Sequence, residues 1–318
     1  LLRQSVGRGR SDDRLRLTVL GSAAGGGFPQ WNCNCGICRL ALAQDPRVTP
    51  RTQSSVTASP NGRDWLLINA SPDLRQQIVQ APWLAANASL TDDARRGSPI
   101  GAVLLTNGDV DHIAGLLTLR ERQAFTLYAT QAVLDILAAN PVFQVLAQDF
   151  VRRVAVTLDE SFEPLPGLEV ELFSVPGKVP LYLEGDDVAI GEEGEMTVGV
   201  RLTTQGRTAF YIPGCANAPE ALLRRVSNAA ALLFDGTVFN DDEMQREGVG
   251  SKTGRRMGHM PINGEGGSLH AFDELGIEEK FYVHINNTNP ILVEGSEERD
   301  RVEAAGWRVA SDANEVLA

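Results

Sequence analysis

Apolar and polar positions along the chain alternate between two periods. Residues 15–20 read Leu-Arg-Leu-Thr-Val-Leu, a period of two that predicts a half-buried strand. Residues 54–59 and 64–69 flank Pro60-Asn61-Gly62 and predict a hairpin, since Asn-Gly suits a tight turn. Asn69-Ala70-Ser71-Pro72-Asp73 then predicts a helix start, with Ser71 as cap and Pro72 at the first position. An apolar run at 102–105 ends in Asn107-Gly108, and Ile113, Leu116, Leu117 and Arg120 follow at helical spacing. Further strands are expected at 126–129, 169–175, 230–234, 281–283 and 307–310, with a hairpin of 197–204 and 208–212. Helices are expected at 131–139, 219–226, 268–275 and 296–305, the third carrying His270 as an ordinary surface residue. Residues 86–99 and 184–195 read as loops, the second crowded with carboxylates among glycines. Residues 238–263 form a long polar, glycine-rich stretch of the kind that serves binding.

This alternation of strands and helices predicts an α/β chain. At 318 residues it is long enough for one large core or two modest ones. Residues 1–14 carry arginines without an apolar run behind them, so a disordered tail is expected rather than a secretory signal. No unbroken apolar stretch reaches transmembrane length, and no membrane partner is expected. The net charge of −12 argues against a nucleic-acid surface, because a basic stripe is needed to neutralise phosphates.

The cysteines change the picture. Cys33, Cys35 and Cys38 crowd a polar turn, so three thiolates can converge on one tetrahedral ion. A structural Zn(2+) is expected there, with a fourth ligand that spacing does not name. Thiols used this way point to a reducing compartment and a cytoplasmic location. The preceding glycines, Gly25 to Gly27, permit close backbone approach but match neither a phosphate-binding loop nor a dinucleotide fingerprint.

Several expected strands end in reactive residues: Asp109, Asp111 and His112 after 102–105, Cys215 after 208–212, Asp235 after 230–234, and His284 after 281–283. If these strand ends share one sheet edge, Asp111, His112 and His284 offer one carboxylate and two imidazoles to a single ion. That donor set suits Fe(2+) with open positions, and also suits zinc, so ligand type alone leaves the metal open.

The strand, the Asp-x-Asp-His turn at 109–112 and the late His284 resemble the metallo-β-lactamase superfamily, whose signature is His-x-His-x-Asp-His. More narrowly, Gly21 to Cys35, Arg51 to Ser55, Asn69 to Asp73, Asp242 to Gln245, Met257 to His259 and His284 to Pro290 resemble the PqqB family of pyrroloquinoline quinone biosynthesis. The resemblance spans nearly everything from residue 15 onward. It implies an α+β fold, an αββα sandwich of two mixed sheets flanked by helices, with 15–318 as a single domain.

It also implies a departure. Asn107 and Asp109 stand where the superfamily has its first two histidines, Lys178 falls near the fourth, and Cys215 near a bridging Asp. The half of a two-metal site built from those histidines is gone, while Asp111, His112 and His284 remain as iron ligands. Asp109 and Asp235 are candidates for further ligands or for groups that orient them. The family resemblance implies hydroxylation of the tyrosine-derived part of a cross-linked Glu–Tyr precursor, with dioxygen as co-substrate. A polycarboxylate substrate requires cations, for which Arg246, Lys252, Arg255 and Arg256 are candidates. His259 is a candidate proton donor or substrate contact. Relatives with the same cysteine loop complete their zinc site with a His three residues after the last active-site His; here that position is Asn287. The competing expectations are a zinc hydrolase and a non-catalytic carrier of the quinone or its precursor, and a homodimer stays open.

Overall fold

The computed structural model describes residues 14–86, 95–185 and 189–318. All of the expected tail but Arg14 therefore lies outside the described residues, as do parts of the two loops expected at 86–99 and 184–195. Strands β1 (Arg16–Gly21), β2 (Ser55–Ser59), β3 (Trp65–Ile68), β4 (Ile100–Leu104), β5 (Phe125–Ala129), β6 (Val151–Ala155) and β14 (Glu315–Leu317) form one seven-stranded sheet in the order β14-β1-β2-β3-β4-β5-β6. Strands β7 (Ser161–Leu165), β8 (Leu168–Ser174), β9 (Val198–Thr204), β10 (Arg207–Ile212), β11 (Ala231–Asp235), β12 (Glu279–Val283) and β13 (Trp307–Val309) form a second, in the order β13-β12-β11-β10-β9-β8-β7. Both are mixed. β1 to β3 pair antiparallel and β3 to β6 parallel; β7 to β10 pair antiparallel and β10 to β13 parallel.

Side-chain alternation assigns each strand two partners. On β3, Leu66 and Ile68 enter the core between the sheets, while Trp65 and Leu67 pack with helix residues on the outer face. On β11, Ala231 and Leu233 face inward, and Leu232 and Phe234 outward. Three buried clusters thus separate four layers, helix–sheet–sheet–helix, with the central cluster supplied by both sheets. Strands covered on both faces read as continuous apolar runs, which is why β4 and β11 show no alternation in sequence.

The helices are α1 (Gly36–Leu42), α2 (Leu74–Gln80), α3 (Val110–Ile113), α4 (Gln131–Ala139), α5 (Glu220–Val226), α6 (Glu243–Arg246), α7 (Ser268–Ala271) and α8 (Glu297–Ala304). Three expectations need correction. Asp73, not Ser71, holds the cap position of α2, because the Ser71 hydroxyl donates to Gln77 instead. Helix α7 stops at Ala271, short of the expected 275. The cysteine turn is not all loop, since α1 begins inside it with the Cys35 sulfur accepting from the Cys38 N–H.

The turn after β4 is clamped to the one after β3. Ala70 N–H donates to His112 O at 2.7 Å, and Gly115 N–H donates to Ala70 O at 2.8 Å. A Cβ on Gly115 would stand 2.1 Å from Ser71 O, so only glycine lets α3 approach this closely. Gly115→Val is expected to push α3 outward, lowering the thermal midpoint and reducing metal retention at Asp111 and His112; unchanged melting and metal content would contradict that packing.

Candidate metal centre

All the convergent residues sit beyond the carboxyl ends of β4, β8, β10, β11 and β12. Asp111 and His112 ride on α3. The imidazole of His112 is buried, and its Nδ1 lies 2.8 Å from Asn107 Oδ1, which also accepts from Asp109 N–H at 3.0 Å. Asn107 therefore sets the ring's angle. The other ring nitrogen of His112, Nε2, is buried with no hydrogen-bond partner among the described residues. An orphaned buried ring nitrogen costs about 1–3 kcal/mol, and a ligand at that point would remove the cost.

His284 follows β12 in the left-handed backbone region, at φ 54°. Ile285 N–H donates to Ser22 O, and Ala24 N–H donates to Ile285 O, so the glycine loop after β1 holds this turn. Backbone at Gly25 lies against Asp111, where a Cβ would meet the carboxylate at 3.4 Å. His284 Nε2 is 3.1 Å from Asp111 Oδ2, and His112 Nε2 is 3.7 Å from the same oxygen. One atom each from Asp111, His112 and His284 falls within 4.8 Å of the others, the separation a single cation spans.

Behind this face lies a chain of hydrogen bonds. His284 Nδ1 meets Thr237 Oγ1 at 2.9 Å, and that hydroxyl lies 2.7 Å from Asp235 Oδ1. Asp235 is fully buried; its Oδ2 accepts from Cys215 N–H at 3.0 Å and from His259 Nδ1 at 2.7 Å. The His259 ring stacks on His284 with centroids 5.2 Å apart. Asp235, His259 and His284 also place donor atoms within 4.8 Å, but His259 is already bonded to Asp235 and His284 to Thr237 through these nitrogens. The first trio holds the fully buried ring nitrogen that lacks a hydrogen-bond partner among the described residues, so the cation fits there.

Electrostatics agree with that assignment. Burial alone would lower His284, yet the Asp111 carboxylate accepting from its ring holds its pKa above the usual imidazole value. Burial pushes His112 down more than Asp111 lifts it, keeping it neutral. Asp111, although desolvated, is held well below the carboxylate range by the two imidazoles.

The face opens on a cavity of about 270 Å³ that also borders Asp109, Lys178, Glu184, Lys252 and His259. Of the four cations expected at the substrate, Lys252 borders this cavity, and Arg256 reaches Glu184 at 3.3 Å. The structure does not bring Arg246 or Arg255 there: Arg246 pairs with Asp242 at 2.8 Å, and Arg255 donates to Gly266 O at 3.2 Å. Asp109 stays outside the donor trio and accepts from Leu181 N–H at 3.1 Å. Asp235 sits behind the ligands. Sequence reasoning missed Thr237 and Glu184, and took Asn107 only for a lost histidine. The Asp-Gly-Thr ending of β11 was the available signal for Thr237.

Cys33, Cys35 and Cys38 converge as expected, and the Asn287 side-chain amide lies 3.1, 3.8 and 3.4 Å from their sulfurs. Turning that amide over would present its oxygen to the same point. Burial pushes the Cys35 thiol up to about 12, so an ion must displace its proton to bind.

The comparisons with known proteins agree with this geometry. A family model described as a β-lactamase superfamily domain matches residues 64–285. A coenzyme PQQ synthesis protein B of Methylorubrum populi is 58% identical over 298 residues, covering 94% of this chain and 98% of its own. One from Rhizobium meliloti is 55% identical over 304 residues, covering 95% and 97%. The crystal structure of Zn(2+)-bound PqqB from Methylobacterium extorquens superposes with a TM-score of 0.92 at 57% identity, covering 95% of this chain and 99% of that one. A diphosphatase of the PhnP family shares the fold alone, with a TM-score of 0.66 at 22% identity over 96% and 97% of the two chains. The fold and the strand-end site thus define a protein of the metallo-β-lactamase type. Within that class, the chain belongs to the coenzyme PQQ synthesis protein B family.

Two outcomes follow. Asn287→Ala is expected to lower zinc content or affinity while the three thiols remain, read by elemental analysis after dialysis against a weak chelator; wild-type retention would remove Asn287 from the site. Divalent-metal affinity at Asp111, His112 and His284 is expected to fall about tenfold per pH unit below the raised pKa of His284, because one proton must leave for the ion to enter. Above that pKa the dependence flattens, since His112 is already neutral and Asp111 already ionised. A pH-independent affinity across that range would contradict the Asp111–His284 pairing.

Proposed function

We propose that this chain is an enzyme of pyrroloquinoline quinone biosynthesis, a hydroxylase or oxygenase of the tyrosine-derived part of the cross-linked Glu–Tyr precursor. Asp111, His112 and His284 would hold one Fe(2+), and Cys33, Cys35, Cys38 and Asn287 a structural Zn(2+). Membership of the PQQ synthesis family and a zinc-bound relative support a metal-dependent role in that pathway. The observation that carries the finer reading is the surviving half-site: one carboxylate and two imidazoles on one face, with one buried nitrogen unpaired.

Fe(2+) held by Asp111, His112 and His284 with open positions would supply one-electron chemistry toward dioxygen. The chain's own residues do the rest. Asn107 and Thr237 fix the two ligand rings, each through its Nδ1. Asp235 holds His259 by Nδ1, which leaves the other ring nitrogen to exchange a proton with a molecule in the cavity. The stacked His259 and His284 rings keep that proton beside the ligand face.

The hydrolase reading is weaker on the same geometry. Two-ion hydrolysis needs ligands on a second ion to activate water and stabilise the leaving oxygen. Asn107 instead orients His112, and Lys178 pairs with Glu184 at 2.8 Å. No helix among the described residues is long and apolar enough to cross a membrane, and the reduced thiol cluster suits the cytoplasm.

Fe(2+)-loaded protein, reconstituted without oxygen and then exposed to it, is expected to consume dioxygen with a tyrosine-containing Glu–Tyr substrate. His112→Ala should lose at least about 100-fold of that rate, since it removes a ligand rather than a supporting group. Absence of any oxygenated product from the iron-loaded protein would overturn the reading, and tight binding of the finished quinone without turnover would favour a carrier.

A further inference from the structure

We propose that the mouth of this cavity is a carboxylate-binding subsite made by Lys178, Lys252 and Arg256, and that the chain's own Glu184 occupies it until a substrate carboxylate takes its place. The identity of that substrate rests on the function proposed above; the subsite itself rests on the geometry alone.

Three cations from two separate stretches close on one side chain. Lys178 Nζ lies 2.8 Å from Glu184 Oε1, while Lys252 Nζ and Arg256 Nη2 each lie 3.3 Å from Oε2. Lys178 follows β8, and its stem packs against Gly258, where an added Cβ would stand 3.1 Å from the lysine Cγ. Lys252 and Arg256 come from the long stretch before His259. Among the described residues, these three pair with no other carboxylate. One negative charge therefore stands against three positive ones in a protein whose net charge is −12. The Lys252 and Arg256 side chains are 39% and 40% exposed, so that excess is open to a second anionic group.

The strap carrying Glu184 is lightly held. Its 3₁₀ turn, Leu181–Leu183, leaves all three apolar side chains largely exposed. Beyond the ion pairs, it is tied by Leu181 N–H to Asp109 Oδ1 and by Tyr182 OH to Gly108 O. The Glu184 carboxylate, by contrast, is only 8% exposed. Burial would raise its pKa, but the lysines hold it near 2, so it stays ionised at any working pH. An incoming carboxylate would meet the same donors and exchange one anion for another, with no added desolvation of the cations. Lys178, Lys252 and Glu184 border the same cavity as Asp111, His112 and His284. A ligand anchored here thus presents its remainder to the metal face. The chemical class is an amino-acid-derived molecule with two or more carboxylates and an aromatic ring.

The test is calorimetric binding of L-glutamyl-L-tyrosine, and of its carboxylate-free analogue L-glutaminyl-L-tyrosine amide, to the full chain without oxygen. If Glu184 occupies the subsite about nine-tenths of the time, Glu184→Gln should tighten dipeptide binding about tenfold. The same variant should melt at a lower temperature and recover more of it on adding the dipeptide than wild type gains. Lys252→Met and Arg256→Gln should each weaken binding of the acid and leave the amide unaffected. Equal or weaker binding by Glu184→Gln, equal binding of acid and amide, or no dipeptide binding to wild type and Glu184→Gln alike would each overturn the proposal. Should Glu184→Gln fail to fold, the Lys252→Met comparison decides: a loss confined to the acid supports the subsite, and unchanged affinity rejects it. Because no turnover is read, failure of the oxygen-uptake experiment would leave these results standing.

Discussion

Asp111 and His284 come from different sheets, 173 positions apart, and meet at 3.1 Å. No local structure brings them together. Their meeting depends on how the two sheets face each other, and that is set by the central apolar layer of Leu66, Ile68, Ala102 and Leu104 against Leu202, Ala209, Tyr211 and Leu233. Close packing allows little slack in such a layer, so a misfit of one methylene there would be felt at the ligands. The hydrogen bonds between the glycine loop and Ile285 add a direct tie across the same gap. The site is thus a property of the sandwich rather than of any one loop.

This explains which parts were legible in the sequence. The strand pattern, the Asp111–His112 turn and the three-cysteine cluster are local, and their periodicity and spacing appear in short windows. That His284 lies beside Asp111 is not local; it follows from strand ends sharing an edge, a fold-level inference that the family resemblance made secure. The missed strands have physical reasons. β6 reads Val-Arg-Arg-Val-Ala and β7 Ser-Phe-Glu-Pro-Leu, each at the edge of its sheet, and β14 spans three residues, so none carries enough apolar pattern to register. Arg246 and Arg255 illustrate the converse. Both lie in a cationic stretch, but α6 turns Arg246 back onto Asp242, and the turn at Arg255–Met257 sends Arg255 toward Gly266. Sequence names the charges in a loop; only its backbone path decides which of them face the cavity.

The substitutions at the superfamily's histidine positions are reused rather than simply lost. Asn107 cannot serve as an imidazole ligand, yet its carboxamide oxygen reaches the ring nitrogen of His112 that faces away from the cation. A neutral imidazole with Nδ1–H donated outward presents a lone pair at Nε2, the state a metal ligand needs. Lys178, near the superfamily's fourth histidine position, carries a positive charge instead of a donor and pairs with Glu184 at 2.8 Å. In the one-ion site proposed above, that charge would also disfavour a second cation nearby.

The same exchange reshapes what the cavity accepts. A two-cation site attracts phosphate, with the metals themselves neutralising the anion. In the proposed one-ion site the neutralising role would pass to side chains, and Lys178, Lys252 and Arg256, gathered on Glu184, are placed to take it. Anchoring there would draw binding strength from groups remote from the reacting atoms. A net-acidic protein can bind a polyanion on these terms because screening limits each charge to about 10 Å at ordinary ionic strength. The local excess at the mouth, not the total of −12, is what an approaching carboxylate meets.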